Sequence, residues 1–396
     1  MNSDCSHLKA ISEAVDEIES KYFHSDKIHL GDEKLVITVL KTGSTVCLPL
    51  SKKLCAEGAL APLLEVAEQS PFGKGEKTVV DQEVRSALQL KPDQFSLNME
   101  VVTSSMIEAI RKSLVPDTAS IRVQLDKLNI YPADGHFLEH RDTPRSTDSF
   151  GSLVVALPVP WVGGMLTLNH EEKSKTFSWD RSMLHPDSRR WVPSDKRAEW
   201  KEKFDAFIPP NKLHYAAFFS DTKHSISTVS EGYRLTLSYT IFRDSLPDPT
   251  CDLLLLRANR LQLVLRAAME DPSFYGKKLG FKSHHMYEES IVVGLEKKLI
   301  GGGKSISHAN AKGLKLKNED AVIAVVCASM GLQVSCIRLL DDENRYAEGP
   351  LVLEKFPTSG KGFGCKRVVD GGFRDDTITP GKVLLYIEHS AVNYIF

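Results

Sequence analysis

The stretch LNIYPADGHFLEHRDTPR, residues 128–145, decides the fold of this chain. It begins inside a β-rich run, IRVQLDKLNIY (121–131), and Pro, Asp and Gly follow that run as turn residues. It then carries His140 and Asp142, two residues apart. Residues i and i+2 of a strand point to the same side, so a histidine and an aspartate near a strand end can hold one ion.

Short β-rich runs continue from this stretch to about residue 243. They are GSLVVALPV (151–159), MLTLNH (165–170), KTFSW (175–179), HYAAFFS (214–220) and YRLTLSYTIF (233–242). Several alternate apolar and polar residues, and Gly, Pro, Asp or Ser separates them. This pattern predicts an all-β sandwich or barrel, interrupted by a polar segment over residues 181–207.

The rest of the chain mixes helices and strands. Helical spacing predicts helices over residues 1–22, 51–69, 105–114, 253–270 and 318–330. Strands are predicted over residues 34–40, 44–48, 291–293, 333–339 and 382–387. With a Pro- and Asp-containing boundary at 244–250, we expect an N-terminal support region over 1–120, a β-rich domain over 121–245, and a smaller C-terminal α+β region over 250–396 with no assigned role.

Composition excludes several classes of function. The chain has 50 basic and 52 acidic residues and a net charge of −2, which gives no support for bulk binding to nucleic acid or an anionic membrane. Its seven cysteines are scattered and form no CxxC pair, which argues against a thiolate zinc site and favours a reducing compartment. With no apolar run that predicts a signal peptide or a membrane span, we expect the cytoplasm, with the nucleus as the alternative.

Two histidines and one carboxylate are the ligand set of non-haem Fe(II) oxygenases, because three ligands on one face leave three positions open. His140 and Asp142 supply two of these ligands. The third has to come from another strand, far along the chain. His224 meets this requirement, since it lies 84 residues after His140 and follows an apolar run.

A dicarboxylate cosubstrate also needs a cation for its far carboxylate. Arg234 lies ten residues after His224 in the last β-rich run, and arginine can bind a carboxylate through two hydrogen bonds. Tyr131 can donate its hydroxyl to the same carboxylate. Thr236, two residues beyond Arg234 on the same strand face, is a further candidate.

These residues lie in segments that resemble prolyl 4-hydroxylase-like catalytic domains of the Fe(II)/2-oxoglutarate-dependent dioxygenase superfamily. LNIYPADGHFLEHRDTPR resembles the segment of that domain that carries the HxD motif, and WVGGMLTLN (161–169) resembles its Gly-Gly turn and the following strand. AAFFSDTKHSISTVSEGYRLTLSYTIF (216–242) resembles its distal-histidine segment and cosubstrate arginine. The resemblance covers residues 121–243. It departs from collagen-type prolyl hydroxylases at Arg234, where those enzymes carry lysine.

The resemblance implies a fold, a chemistry and a role for each site residue. The fold would be α+β, with a double-stranded β-helix (jelly roll) buttressed by N-terminal helices. His140, Asp142 and His224 would be the iron ligands and catalytic residues, Arg234 would bind 2-oxoglutarate, and Tyr131 would assist. The reaction would consume O2 and 2-oxoglutarate, hydroxylate a C–H bond and release succinate and CO2, with L-ascorbate as an accessory reductant.

The sequence leaves the substrate open. A prolyl or other side chain of a protein is the first candidate, and a small molecule is the second. A third interpretation comes from a different class: a catalytically silent jelly-roll interaction module. No nucleic acid and no membrane is expected as a partner.

Overall fold

The structure of the protein, a computed structural model, describes part of the chain. The described residues are 3–19, 21–74, 77–142, 145–146, 148–179, 196, 199, 211–244, 252–272, 278–282, 284–285, 296–300, 304–310, 315–338, 351–353 and 383–388. They form two compact units. The first comprises residues 1–21, 111–121 and 243–396, and the second comprises 22–110 and 122–242.

The second unit is rich in strands, as the alternating runs predict. Its strands are β1 (Phe23–His29), β2 (Leu35–Val39), β3 (Thr45–Leu48), β4 (Glu68–Gln69), β5 (Phe72–Lys74), β6 (Lys77–Val79), β7 (Arg85–Ser86), β8 (Leu88–Leu90), β9 (Phe95–Leu97), β10 (Ile121–Tyr131), β11 (His136–His140), β12 (Ser149–Ala156), β13 (Trp161–Gly163), β14 (Leu166–His170), β15 (Lys173–Phe177), β16 (Lys212–Phe219), β17 (Lys223–Ile226), β18 (Val229–Gly232) and β19 (Arg234–Arg243). Its short helices are α2 (Lys52–Ala56) and α3 (Ala61–Leu64), and most of α4 (Ser104–Leu114) belongs to it.

Two sheets organise this unit. A seven-stranded sheet has the order β1-β16-β12-β19-β10-β8-β4, and a five-stranded sheet has the order β15-β14-β17-β11-β7. The pairs β12–β16, β12–β19, β11–β17 and β14–β17 are antiparallel. From β10 to β19, the strands of these two sheets alternate along the chain except at β14 and β15, which are consecutive in one sheet. β11, β14, β15 and β17 lie in the five-stranded sheet, and β10, β12, β16 and β19 lie in the seven-stranded sheet.

The central strands of the seven-stranded sheet are buried on both faces. Alternate residues of β16 and β19 face opposite ways, and almost all of them are buried, including Leu213, Ala216, Phe219 and Leu237. This explains why these segments read as nearly continuous apolar runs instead of a strict alternation. Polar residues on the inner face of such strands are costly unless they are bonded, so the few that occur there point to a functional site.

The first unit combines helices with a separate sheet. Its helices are α1 (Ser3–Asp16), α5 (Asp252–Leu255), α6 (Asn259–Glu270) and α7 (Asn318–Ser329), and a short 3-10 turn covers Leu256–Ala258. Its strands are β20 (Lys278–Lys282), β21 (Glu296–Ile300), β22 (Lys304–Asn310), β23 (Gln333–Arg338), β24 (Leu351–Leu353) and β25 (Val383–Glu388), in the sheet order β21-β22-β23-β25-β20-β24. Its core is an apolar cluster of helix residues that includes Ile11, Leu261 and Val322.

The chain is therefore a mixed α and β protein with several antiparallel sheets. The helices predicted over 105–114 and 318–330 are confirmed within one residue. The strand predicted at 291–293 lies outside the described residues, as does nearly all of the polar segment 181–207. The predicted division into three regions stays a prediction. Within the part of the chain that the structure describes, no helix has the length and apolar character needed to cross a membrane.

Candidate metal and cosubstrate site

The two histidines predicted as metal ligands face each other across neighbouring strands. His140 ends β11, and it is the direct antiparallel partner of His224 in β17. Their ring centres are 4.1 Å apart. A β-bulge contributes to this placement, because β11 advances three residues from Phe137 to His140 while β17 advances two. The extra residue turns His140 toward the side of Phe137, whose ring stacks on it at 3.5 Å between centres.

Backbone carbonyls fix the tautomer of both histidines. The Nδ1 of His140 is 2.9 Å from the carbonyl oxygen of Leu138, and the Nδ1 of His224 is 3.1 Å from that of Thr222. A carbonyl can only accept, so each Nδ1 carries the hydrogen and each Nε2 keeps its lone pair. Such a hydrogen bond on the far nitrogen is the usual support of a metal-binding imidazole.

Asp142 completes the cluster from the loop that follows β11. Its Oδ1 lies 3.9 Å from the Nε2 of His140 and 3.7 Å from the Nε2 of His224. Its Oδ2 accepts a 2.5 Å hydrogen bond from the hydroxyl of Ser152 in β12, which holds the carboxylate in place. One oxygen is therefore bonded to the protein, and the other faces the two imidazoles.

This donor set fits a divalent iron ion. One ligand atom from each of the three residues lies within 4.8 Å of the others. Adjacent ligand atoms of an octahedral ion with bonds near 2.1 Å are about 3 Å apart, so small side-chain movements would close the site. Two imidazoles and one carboxylate on one side match the facial ligand set of Fe(II) oxygenases and leave the other positions open.

The protonation states also suit metal binding. Burial, together with the neighbouring His224, lowers the pKa of His140 to about 4, so its imidazole is neutral at pH 7. Burial raises the pKa of Asp142, but the two imidazoles and the Ser152 hydroxyl lower it by more, so its net shift is downward. Metal ligands have to be deprotonated, and these two residues are.

Arg234 is a buried cation whose hydrogen-bonding capacity is not used up. It is 1% exposed, at the start of β19, and its Nε and Nη2 have no hydrogen-bond partner among the described residues. Burial lowers the pKa of this guanidinium to about 10, which still leaves it charged at neutral pH. A buried, charged and partly unbonded guanidinium is costly unless an anion joins it. Arg234 is thus placed to bind an anionic ligand.

The Gly-Gly turn makes room for Arg234. Gly163 and Gly164 have φ values of +79° and +59°, which side chains rarely adopt. A Cβ at Gly164 would come within 2.9 Å of the Cδ of Arg234 and 2.8 Å of a methyl carbon of Val229. Only glycine therefore allows the arginine stem to pass this close to the backbone.

Tyr131 and Thr236, which the sequence suggested as further cosubstrate residues, lie beside this arginine. The guanidinium carbon of Arg234 lies 5.4 Å from the centre of the Tyr131 ring, and Tyr131 is buried at the end of β10. Thr236 is buried two residues along β19, so it shares the strand face of Arg234.

The structure adds residues that sequence reasoning missed. Arg85 pairs with Phe137 across β7 and β11, and its guanidinium lies 4.5 Å from the Phe137 ring centre. Its Nη2 donates to Asn129, whose amide donates in turn to Ser238 at 2.7 Å. Ser238 lies four residues from Arg234, so both side chains are on one face of β19. Thr240 is on this face too, and its partner in β12 is Ser152, which bonds Asp142. Sequence spacing alone gives no signal for this contact between sheets.

The chain is similar to several solved structures at low sequence identity. It is similar to a prolyl-4-hydroxylase from Pseudomonas putida, with 14% identity, a TM-score of 0.30, and coverage of 59% of this chain and 100% of that one. It is similar to a prolyl hydroxylase from Trichoplax adhaerens in complex with a peptide fragment of the hypoxia inducible factor oxygen degradation domain, with 13% identity, a TM-score of 0.33, and coverage of 61% and 93%. It is also similar to a 2OG-Fe(II) oxygenase family oxidoreductase from Burkholderia pseudomallei, with 14% identity, a TM-score of 0.21, and coverage of 31% of this chain and 46% of that one.

No model of a protein family and no curated protein sequence matches the chain.

Proposed function

We propose that the chain is an Fe(II)- and 2-oxoglutarate-dependent dioxygenase that hydroxylates a C–H bond. His140, Asp142 and His224 would hold Fe(II). Arg234 would bind the far carboxylate of 2-oxoglutarate, with Tyr131 and Thr236 beside it. A protein side chain, with prolyl as the first candidate, is the substrate class that we favour, and a small molecule is the alternative.

The observation that carries this proposal is the presence of two features at one face of the seven-stranded sheet. One is a His-Asp-His cluster with both Nε2 atoms free to coordinate, and the other is the buried guanidinium of Arg234 with two unbonded nitrogens. A 2-oxo dicarboxylate meets both needs, because its oxo-acid end can chelate a metal while its far carboxylate reaches the guanidinium. A silent scaffold would gain nothing from keeping an unpaired charge in its core.

The residues of the chain would bind the metal ion and 2-oxoglutarate, orient both, and exclude water from Arg234. The carbonyls of Leu138 and Thr222 keep the imidazoles in the coordinating tautomer, and the Ser152 hydroxyl orients the Asp142 carboxylate. Arg234 would fix the direction of 2-oxoglutarate from a site closed to solvent. Bound Fe(II) would supply oxygen activation, in which one oxygen atom of O2 enters succinate and the other enters the substrate as CO2 leaves.

We also propose that the two larger sheets of the second unit form a double-stranded β-helix. The chain passes from one sheet to the other at nearly every long strand from β10 to β19. Side chains of the two sheets contact each other at the site, as Ser152 contacts Asp142 and Phe218 lies 4.8 Å from His224 between ring centres. This alternation is the connectivity expected of a jelly roll.

The test is succinate formation by the full chain with Fe(II), 2-oxoglutarate, O2 and ascorbate. We expect the wild type to release succinate and His224→Ala to release none. Arg122→Met, which removes an exposed charge over the Phe242 ring, is the control and should match the wild type. Equal succinate release by wild type and His224→Ala would contradict the proposed metal site.

A further inference from the structure

A second group of cations acts electrostatically on the candidate metal site, because Arg85 acts on His140 and Lys127 acts on Asp142. Arg85 is 6% exposed, donates to the carbonyl of Pro71 and to Asn129, and keeps an Nε with no hydrogen-bond partner among the described residues. Lys127 is two residues from Asn129 on the same face of β10. Its side chain is 18% exposed, and its Nζ donates to Gln89 at 3.3 Å.

In the described part of the chain, the acids shown to act on Lys127 each have another partner. Asp126 lies 3.6 Å from the Nζ of Lys127, but Arg145 also forms an ion pair with it. Glu68 acts electrostatically on Lys127, yet it forms an ion pair with Lys91 at 2.8 Å. Asp142 also acts electrostatically on Lys127, yet its carboxylate faces the candidate metal site. Burial outweighs the acids at Lys127 and lowers the pKa of its ammonium group, so an additional anion would be stabilising there.

We propose that Lys127 and Arg85, with the amide of Asn129 between them, form a binding site for a carboxylate of the primary substrate. The substrate class would then be an acidic compound, such as an Asp- or Glu-containing peptide segment or a carboxylic acid metabolite. This inference rests on the proposed function, because it places the carboxylate next to the group that reacts.

A carboxylate at this position has two sources, and the structure favours the substrate. The far carboxylate of 2-oxoglutarate already has Arg234, and its other end would chelate the metal. The Phe137 ring contacts both the guanidinium of Arg85 and the ring of His140. A carboxylate bound at Arg85 would therefore lie close to the candidate metal site.

The experiment compares matched probes by saturation-transfer NMR with the full chain. The probes are N-acetylated, C-amidated dipeptides with one Asp or Glu, and the same dipeptides with Asn or Gln. We expect the wild type to bind the acidic set at least about tenfold more tightly, which is the effect of a single charge-assisted contact. Lys127→Met should abolish this preference. Lys91→Met removes an exposed lysine and is the matched control, which should keep it.

The outcomes separate the possibilities. Equal binding of acidic and amide probes by the wild type, or no binding of either set, overturns the proposal without the use of any variant. A preference that survives Lys127→Met overturns the assignment of that residue. Calorimetric titration with 2-oxoglutarate and Mn(II) shows whether the bound carboxylate belongs to the substrate or to the cosubstrate. A higher Kd for 2-oxoglutarate in Lys127→Met would assign the carboxylate to 2-oxoglutarate. Because the proposed carboxylate site contains no metal ligand, the probes should also bind without metal. An acidic preference that persists while Mn(II) fails to bind would therefore reject the proposed function and keep the carboxylate site.

Discussion

Replacement of Arg234 by Met tests the cosubstrate site most sharply, because two effects of opposite sign are expected. The substitution keeps a long side chain in the space beside Gly164 and removes the charge. Without 2-oxoglutarate, the variant loses a buried guanidinium with two unbonded nitrogens. Its free energy of unfolding should therefore rise, by about 1–3 kcal/mol.

Cosubstrate binding should change in the other direction. Each hydrogen bond from a charged group contributes about 1.5–3 kcal/mol, and Arg234 offers two unbonded nitrogens. Loss of both corresponds to about 3–6 kcal/mol. At about 1.4 kcal/mol per factor of ten, the Kd for 2-oxoglutarate should rise on the order of 10²- to 10⁴-fold.

The assays are chemical denaturation without ligand and calorimetric titration of the Mn(II)-loaded protein with 2-oxoglutarate. Arg243→Met is the contrasting variant, because Arg243 is buried in the same strand but binds Asp117 at 3.1 Å. It leaves a buried carboxylate unpaired and should cost about 3–5 kcal/mol of stability. A destabilisation of Arg234→Met as large as that of Arg243→Met, or a Kd for 2-oxoglutarate within threefold of wild type, would refute the reasoning.

Three further predictions concern the metal and the turn. His224→Ala should weaken Mn(II) binding at least about 100-fold by calorimetry, since it removes one of three ligands; binding that stays within a few-fold of wild type would place the metal elsewhere. Ser152→Ala should weaken Mn(II) binding about 10- to 100-fold in the same titration, because the Asp142 carboxylate loses the hydroxyl that orients it, and an unchanged Kd would count against that role. Gly164→Ala should destabilise the fold and weaken 2-oxoglutarate binding, because the added Cβ would displace Arg234. The control is Gly31→Ala, at a similar φ of +62° with nothing within 4 Å of the added Cβ, which should lower the free energy of unfolding by about 1 kcal/mol and leave binding intact. Equal effects of the two variants on 2-oxoglutarate binding would show that Gly164 does not position Arg234.

The sequence alone could suggest the candidate site residues, because each lies in or beside a short β-rich run. His140 and Asp142 are two residues apart, His224 follows the run at 214–220, and Arg234 lies near the start of the run at 233–242. The structure brings His140, Asp142 and His224 together and places Tyr131 against Arg234. Their roles as iron and cosubstrate ligands stay predictions until the titrations are done.

The pairing of strands that are far apart in the chain could not be predicted from the sequence. Arg85 lies in a two-residue strand, and its place beside Phe137 depends on the pairing of β7 with β11. The bulge in β11 is equally invisible, although it sets the direction of His140. Neither the β7–β11 pairing nor the bulge produces a repeating pattern of apolar and polar residues that could be recognised in the sequence.

One helix prediction was wrong in its length. Residues 51–69 form two short helices and the strand β4 instead of one helix, although Ser51 caps the first helix through a hydrogen bond from the amide of Leu54. Gly58 ends that helix region with a φ of +89°, and Pro62 lies in the first turn of the second helix. Gly58 and Pro62 together interrupt the helix. The spacing of apolar residues continues across both positions, which is why the sequence suggests a single helix.

The most direct test of the central claim is anaerobic addition of 2-oxoglutarate to the Fe(II)-loaded protein, followed by visible absorption. Chelation of Fe(II) by a 2-oxo acid produces a charge-transfer band that neither component shows alone. We predict this band in the wild type, its absence in His140→Ala, and a shift to much higher 2-oxoglutarate concentration in Arg234→Met. Absence of the band in a wild-type protein that has been shown to bind Fe(II) would contradict the proposed dioxygenase site.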